Sequence, residues 1–130
     1  MPPLKKILLV DDDNVLRSLT KTALERSEKG FEIMACSSAA EAMSGLDVFV
    51  PDLLLTDYVM PEMDGIELIQ EIEKRGHSMP TILITGKADG SLNEQVCGLS
   101  SLIGIIAKPF PPRALGEDIL SKWNLFHETR

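Results

Sequence analysis

The sequence predicts an α/β domain of (βα)5 type, a doubly wound five-stranded parallel sheet with helices on both faces. Three observations predict it. Five short apolar runs recur, with helical-period segments between them. Most of these runs lack polar alternation, which is how strands buried on both faces read. Alternating strands and helices then imply parallel pairing through right-handed crossovers.

The first strand is Ile7-Leu-Leu-Val10. Leu16, Leu19 and Ala23 mark one face of the helix after it, Asp13 or Asn14 is its N-cap, and Gly30 stands where its C-terminus is expected. The second strand is Phe31–Cys36, and Ser38-Ala-Ala-Glu41 has the spacing of a capping box that opens a helix toward Leu46. Leu53-Leu-Leu-Thr-Asp57 is a strand that ends on a carboxylate. A loop with the turn formers Pro61 and Asp64-Gly65 follows, then a helix striped by Ile66, Ile69 and Ile72 that stops near Arg75-Gly76. Ile82-Leu-Ile84 and Leu102–Ala107 are the last two strands. Between them, residues 89–101 hold Gly90, Ser91, Asn93, Gly98, Ser100 and Ser101, which lower helix propensity, so the fourth helix is expected to be short. Pro111-Pro112 starts a last helix with Leu115, Ile119, Leu120 and Trp123 inward.

A chain of 130 residues with 44% hydrophobic and 25% charged residues is expected to form one domain over 1–130, with its core at about 5–124 and a tail at 125–130. The net charge of −7 disfavours direct nucleic-acid binding, which needs clustered Lys and Arg. No apolar run approaches the ~20 residues of a membrane span, and the first residues do not read as a signal peptide. Cys36 and Cys97 lie far apart without metal-like spacing, so both read as buried small hydrophobes of a reducing, cytoplasmic setting. Met34, Met43, Met60, Met63 and Met79 read as core or loop filler; Glu117 and Asp118 as solvated; His77 and His127 have no partner that the sequence assigns.

In a parallel sheet all strand carboxyl ends share one edge, and ligands of open α/β sheets bind there. That edge collects Asp11 and Asp12, Asp57, Thr85 with Gly86, and Lys108. Taken singly, each has a structural reading as cap, turn former, strand end or solvated lysine; their convergence outweighs those readings. Two carboxylates about 5 Å apart repel by roughly 3 kcal/mol at an effective dielectric near 20, so three of them call for a proton, a lysine or a cation. Oxygen donors alone suit Mg²⁺. Asp57 can then serve as a nucleophile toward a phosphoryl group, with Lys108 neutralising charge, Thr85 donating a hydrogen bond and Gly86 leaving the approach open.

From about Lys5 to Trp123 the chain resembles the receiver domain of two-component response regulators. The matching pieces are Ile7-Leu-Leu-Val-Asp11-Asp12, Asp57-Tyr-Val-Met-Pro-Glu-Met-Asp-Gly65, Ile84-Thr85-Gly86 and Ala107-Lys108-Pro109-Phe110. The resemblance implies a flavodoxin-like strand order 2-1-3-4-5. It implies Asp57 as acceptor of a phosphoryl group from a phosphohistidine, borne by a sensor histidine kinase or a histidine phosphotransfer protein. Mg²⁺ would sit on Asp11, Asp12, Asp57 and the Val59 backbone carbonyl, Thr85 and Lys108 would meet the phosphoryl group, and the peptide before Pro109 would be cis. Output would leave through the face of the fourth helix, fifth strand and fifth helix, toward a partner or domain the residues do not name. The same face is a candidate for weak self-association.

Two positions depart from the family pattern. Ile105 stands where receivers usually carry a Tyr or Phe, so the residues do not support a switch of Thr85 with a rotating ring, and Thr85 with Ile105 is left as the switch position. Val59 and Lys87 hold the two variable positions that flank the site; an aliphatic Val59 cannot orient an attacking water, which predicts slow hydrolysis of the phosphoryl group. Two other readings compete. Asp11-Asp-Asp-Asn-Val15 fits the nucleophile motif of haloacid-dehalogenase-type enzymes, although that reading leaves Asp57 unexplained. A degenerate receiver that only binds a partner is the third, with Ile105 as its hint.

Overall fold

The computed structural model describes residues 2–86 and 98–128. Five parallel strands form one sheet in the order β2-β1-β3-β4-β5: β1 Lys6–Val10, β2 Glu32–Cys36, β3 Leu53–Asp57, β4 Thr81–Thr85 and β5 Leu102–Ala107. The helices among the described residues are α1 Asn14–Glu25, α2 Ala39–Phe49, α3 Gly65–Lys74 and α4 Pro112–Glu128. Most of the segment expected to hold a short additional helix before β5, along with Lys87 and Cys97, lies outside the described residues; 98–101 form a turn into β5.

The unbroken apolar runs serve two cores at once. Alternate residues of one strand point to opposite faces. Ile7 and Leu9 of β1, with Leu53 and Leu55 of β3, pack with Leu24 of α1 and Leu115, Ile119 and Trp123 of α4. Leu8, Val10 and Leu54 pack instead with Ala42 and Leu46 of α2 and Leu68, Ile69 and Ile72 of α3. Met60 and Met79 are buried in the second core, and Met34, Met43 and Met63 pack against it, as gap fillers should.

Several local expectations need correction. Leu16 and Leu19 are 40% and 58% exposed, and α1 turns Thr20 and Leu24 inward instead. Burial of Thr20 costs little because its hydroxyl donates to the Leu16 carbonyl at 2.8 Å, which the hydropathy pattern could not show. α1 ends at Arg26 as C-cap, and Gly30, although left-handed at φ +75°, lies in the loop beyond. Ser38 caps α2, but the Glu41 carboxylate accepts from the Ser37 N–H rather than that of the cap, so the box is shifted by one residue. The reciprocal box forms on α3, between Asp64 and Glu67. Helix α4 continues through Glu128, so residues 125–128 are not a tail. Trp123 donates its indole N–H to the Pro2 carbonyl at 3.0 Å, tying the first residues to this helix.

Polar groups read as solvated or left unassigned also find partners. Glu117 pairs with Lys29, and Asp118 with Lys122 at 2.6 Å. His77 faces Asp47 at 3.8 Å, and a His127 ring nitrogen contacts the Trp123 carbonyl at 2.8 Å.

Val50, the C-cap of α2, is left-handed at φ +50° and 65% exposed. A β-branched residue there carries backbone strain without burial to offset it. Val50→Gly is therefore expected to raise unfolding free energy by about 0.5–1 kcal/mol, the left-handed cost less the extra chain entropy of glycine. Urea unfolding followed by Trp123 fluorescence measures it.

Candidate functional site

The strand order places the site. Between β1 and β3 the winding of the sheet reverses, so their connections leave toward opposite faces and open a crevice at the carboxyl edge. Val10 is in register with Thr56, which sets Asp11 and Asp57 side by side at that crevice. Oxygen atoms of Asp11, Asp12 and Asp57 lie within 4.8 Å of one another. Asp11 and Asp57 are buried, at 4% and 8% exposure, while Asp12 faces solvent.

On the other side of Asp57, β4 and β5 run in register to Thr85 and Ala107, and the Lys108 N–H donates to the Thr85 carbonyl at 2.9 Å. This bond and the cis Lys108–Pro109 peptide shape the turn from which Lys108 reaches back. Its ammonium stands 2.9 Å from Asp57 Oδ1, which also accepts the Tyr58 N–H at 3.1 Å. Thr85 is buried at 1%, beside Lys108 in the chain trace of the edge. Gly86 is exposed with open space where a side chain would project, and Val59 is 63% exposed in the loop after β3. Ile105 pairs in register with Leu83 and is half-buried against the core of α2 and α3. The carboxylates and the lysine expected from three separate places in the sequence are thus brought together.

Sequence reasoning missed two contributors. Gly65, read only as a turn former before the helix, lets α3 begin against the end of β3: its N–H donates to the Tyr58 carbonyl at 2.8 Å, and a Cβ there would lie 2.5 Å from the Asp57 carbonyl oxygen. Arg17 reaches back from α1 to the Asp11 carbonyl at 2.8 Å. Its position four residues after the Asp13 cap put it within reach of the turn, but nothing in the sequence named the Asp11 carbonyl as its target.

Burial pushes the Asp11 carboxyl above its ordinary value of 3.8, and the charges of Asp57 and Asp12 add to the rise; the Asp13 N–H and Lys108 act against it. The ionised form is therefore the penalised one. The stability Asp11 contributes is fully present below 3.8 and is lost as pH rises through its raised folded value. In the absence of divalent cations, Asp11→Asn is expected to raise stability at neutral pH by about 1 kcal/mol, because Lys108 already offsets part of the repulsion. Melting temperatures with and without Mg²⁺ check this: the gain should shrink once Mg²⁺ is added to the wild type.

Closely spaced carboxylates, two of them buried, with no nitrogen or sulfur donor in the cluster suit a hard cation such as Mg²⁺. Beside them, Leu16, Leu19, Ile84, Pro109, Phe110 and Pro112 wall a mostly apolar hollow of about 370 Å³ that opens onto Asp11 and Lys108.

A family model for the response regulator receiver domain matches residues 7–120. The chain belongs to that family. It is 33% identical over 110 residues to the alkaline phosphatase synthesis transcriptional regulatory protein PhoP of Bacillus subtilis, covering 84% of this chain and 44% of PhoP. It is 37% identical over 113 residues to the transcriptional regulatory protein CpxR of Escherichia coli, covering 86% of this chain and 46% of CpxR. The chain thus spans less than half the length of either regulator. A CheY-like receiver domain from Methanospirillum hungatei superposes with a TM-score of 0.82 at 31% identity, over 98% of this chain and 99% of the other. The chemotaxis protein CheY4 of Vibrio cholerae, at 22% identity and TM-score 0.82, shares the fold. Receiver domains belong to two-component signalling and generally bind Mg²⁺ in an acidic pocket. Among the described residues no helix is long and apolar enough to cross a membrane.

Proposed function

We propose that residues 1–130 act as a single phosphoacceptor domain in which Asp57 takes a phosphoryl group from a phosphohistidine. The observation that carries this reading is the Lys108 ammonium 2.9 Å from Asp57, with the Asp11 and Asp12 carboxylates on the other side. An Asp57 oxygen attacks phosphorus, the P–N bond breaks, and the imidazole nitrogen keeps the electron pair and takes up a proton. Asp11, Asp12, Asp57 and the Val59 carbonyl would hold Mg²⁺, which when bound supplies charge neutralisation and orients the phosphoryl oxygens. Lys108 follows the charge as it moves from the carboxylate to the acyl phosphate, Thr85 donates to a phosphoryl oxygen, and Gly86 leaves space for the group.

The donor is a sensor histidine kinase or a histidine phosphotransfer protein, acting in the cytoplasm. It has to bring its imidazole past the exposed apolar side chains of α1 and the β5–α4 turn, which suits an apolar helical surface. Val59 offers nothing to orient a water, so the acyl phosphate would hydrolyse slowly. Thr85 and Ile105 would carry the change along β5, and from there to an output partner. Phosphorylation shifts that face only by the difference in how it binds the two states.

The test is incubation with Mg²⁺ and acetyl phosphate, with intact mass as the readout. A gain of one phosphoryl group that is labile to hydroxylamine, as an acyl phosphate is, supports the reading. No gain by a folded chain that binds no Mg²⁺ would favour a receiver that serves only as a binding partner.

A further inference from the structure

We propose that Arg17 is a positioning residue of the acidic site, locking the Asp11–Asp13 turn in the shape that presents its carboxylates to a divalent cation. The proposal rests on the Mg²⁺ reading above and adds a residue to it.

Arg17 is half-buried in the second turn of α1. Its Nη1 donates to the Asp11 carbonyl oxygen at 2.8 Å, and its Nη2 to Asn14 Oδ1 at 2.6 Å. The fork therefore spans the turn, from the end of β1 to the first residue of α1. That carbonyl belongs to the peptide unit that joins Asp11 to Asp12. Because the unit is planar, holding its oxygen restricts where the Asp12 Cα lies, and the Asp12 side chain departs from that atom. Asp12 is the exposed member of the carboxylate cluster, so it depends most on its backbone for position.

The other ties in the turn reach different atoms. The Asp11 N–H donates to the Cys36 carbonyl at 3.1 Å, and the Asp13 N–H donates to Asp11 Oδ1 at 2.9 Å. Asp13 spends its own carboxylate on the N–H groups of Val15 and Leu16. Arg17 bonds the Asp11 main-chain oxygen and Asn14 Oδ1, and neither bond is to a carboxylate of the cluster, so its role there is one of geometry. A lysine substitutes only in part, because one compact ammonium does not reproduce a planar fork with two fixed donor directions.

The experiment compares wild type, Arg17→Ala, Arg17→Lys and Asn14→Ala. Mg²⁺ affinity is read by titration calorimetry, melting temperature is read without metal, and the acetyl phosphate reaction is followed across Mg²⁺ concentrations. Arg17→Ala is expected to weaken Mg²⁺ binding by about tenfold, the low end for residues that stand behind metal ligands. Arg17→Lys and Asn14→Ala should show smaller losses in the same direction, and they carry the test if Arg17→Ala folds poorly. Phosphorylation by the variants should recover toward the wild-type rate at saturating Mg²⁺, and the melting temperatures without metal show whether each variant is folded at the assay temperature, which separates weakened binding from a loss of fold. Wild-type Mg²⁺ affinity in all three variants, whatever their melting temperatures, would overturn the proposal. A wild type that takes up neither Mg²⁺ nor a phosphoryl group would remove the underlying reading and this proposal together. A wild type that binds Mg²⁺ beside unaffected variants removes Arg17 alone.

Discussion

Asp57→Asn is expected to reduce phosphoryl uptake to background while the fold persists. Asparagine keeps the shape of the side chain and an oxygen for the Tyr58 N–H, which donates to Oδ1 at 3.1 Å in the wild type. It removes the negative charge that Lys108 pairs with and leaves no carboxylate to form an acyl phosphate. Asp12→Asn should act differently: it weakens the divalent site, so phosphorylation slows and a higher Mg²⁺ concentration restores part of it. Intact mass after treatment with acetyl phosphate separates the two. The same measurement bears on an enzyme of haloacid-dehalogenase type, in which Asp11 would be the nucleophile. Uptake that survived Asp57→Asn and vanished in Asp11→Asn would overturn the assignment of Asp57.

The carboxyl-edge logic made the site legible in the sequence. Each chemical residue stands at or just beyond the end of an apolar run, and the runs were long enough to identify as strands. Asp11, Asp57 and Lys108 therefore needed no contact map to be placed together. Contacts that run through backbone atoms were not legible. Nothing in a residue list says that Arg17 aims at a carbonyl, or that α3 begins within van der Waals distance of the Asp57 carbonyl. The inward face of α1 was misplaced for a related reason. Thr20 counts as polar until its hydroxyl is seen to be satisfied by Leu16, and leucines at 16 and 19 count as core until they are seen exposed beside the β5–α4 turn. Hydropathy reports the cost of burial for a side chain alone, not for a side chain with its partner.

Exposed apolar residues flanking the site follow from the same geometry. A sheet edge that offers a reactive carboxylate to another protein cannot be covered by its own helices. Its neighbours on α1 meet solvent in the free chain, as Leu16 and Leu19 do. The thiol of Cys36 shows the opposite case. Fully buried at the end of β2, it is pushed up to about 11, chiefly by burial and then by Glu41, which suits packing rather than chemistry.

Gly65→Ala is expected to lower stability by about 1–3 kcal/mol and to slow phosphorylation with it. The added methyl carbon would stand 2.5 Å from the Asp57 carbonyl oxygen, 2.8 Å from Leu83 Cδ1 and 3.2 Å from Tyr58 Cα. Leu83 can rotate away; the two backbone atoms cannot, because β3 is pinned on both sides by β1 and β4. The start of α3 must then withdraw, which stretches the 2.8 Å bond from the Gly65 N–H to the Tyr58 carbonyl. The better helix propensity of alanine, worth up to ~1 kcal/mol, offsets only part of this. Withdrawal also shifts the loop that carries Tyr58 and Val59, and with it the Asp57 side chain relative to Lys108. Gly86→Ala is the stability control, since a methyl group there meets nothing within 4 Å, and its effect should stay within about 0.5 kcal/mol. Urea unfolding followed by Trp123, which packs against α4's own core and the Pro2 carbonyl away from the site, reads both variants without interference from the site itself. Equal stability of Gly65→Ala and wild type would show that α3 has room to start elsewhere, and that the glycine is not what holds the acceptor strand and this helix together.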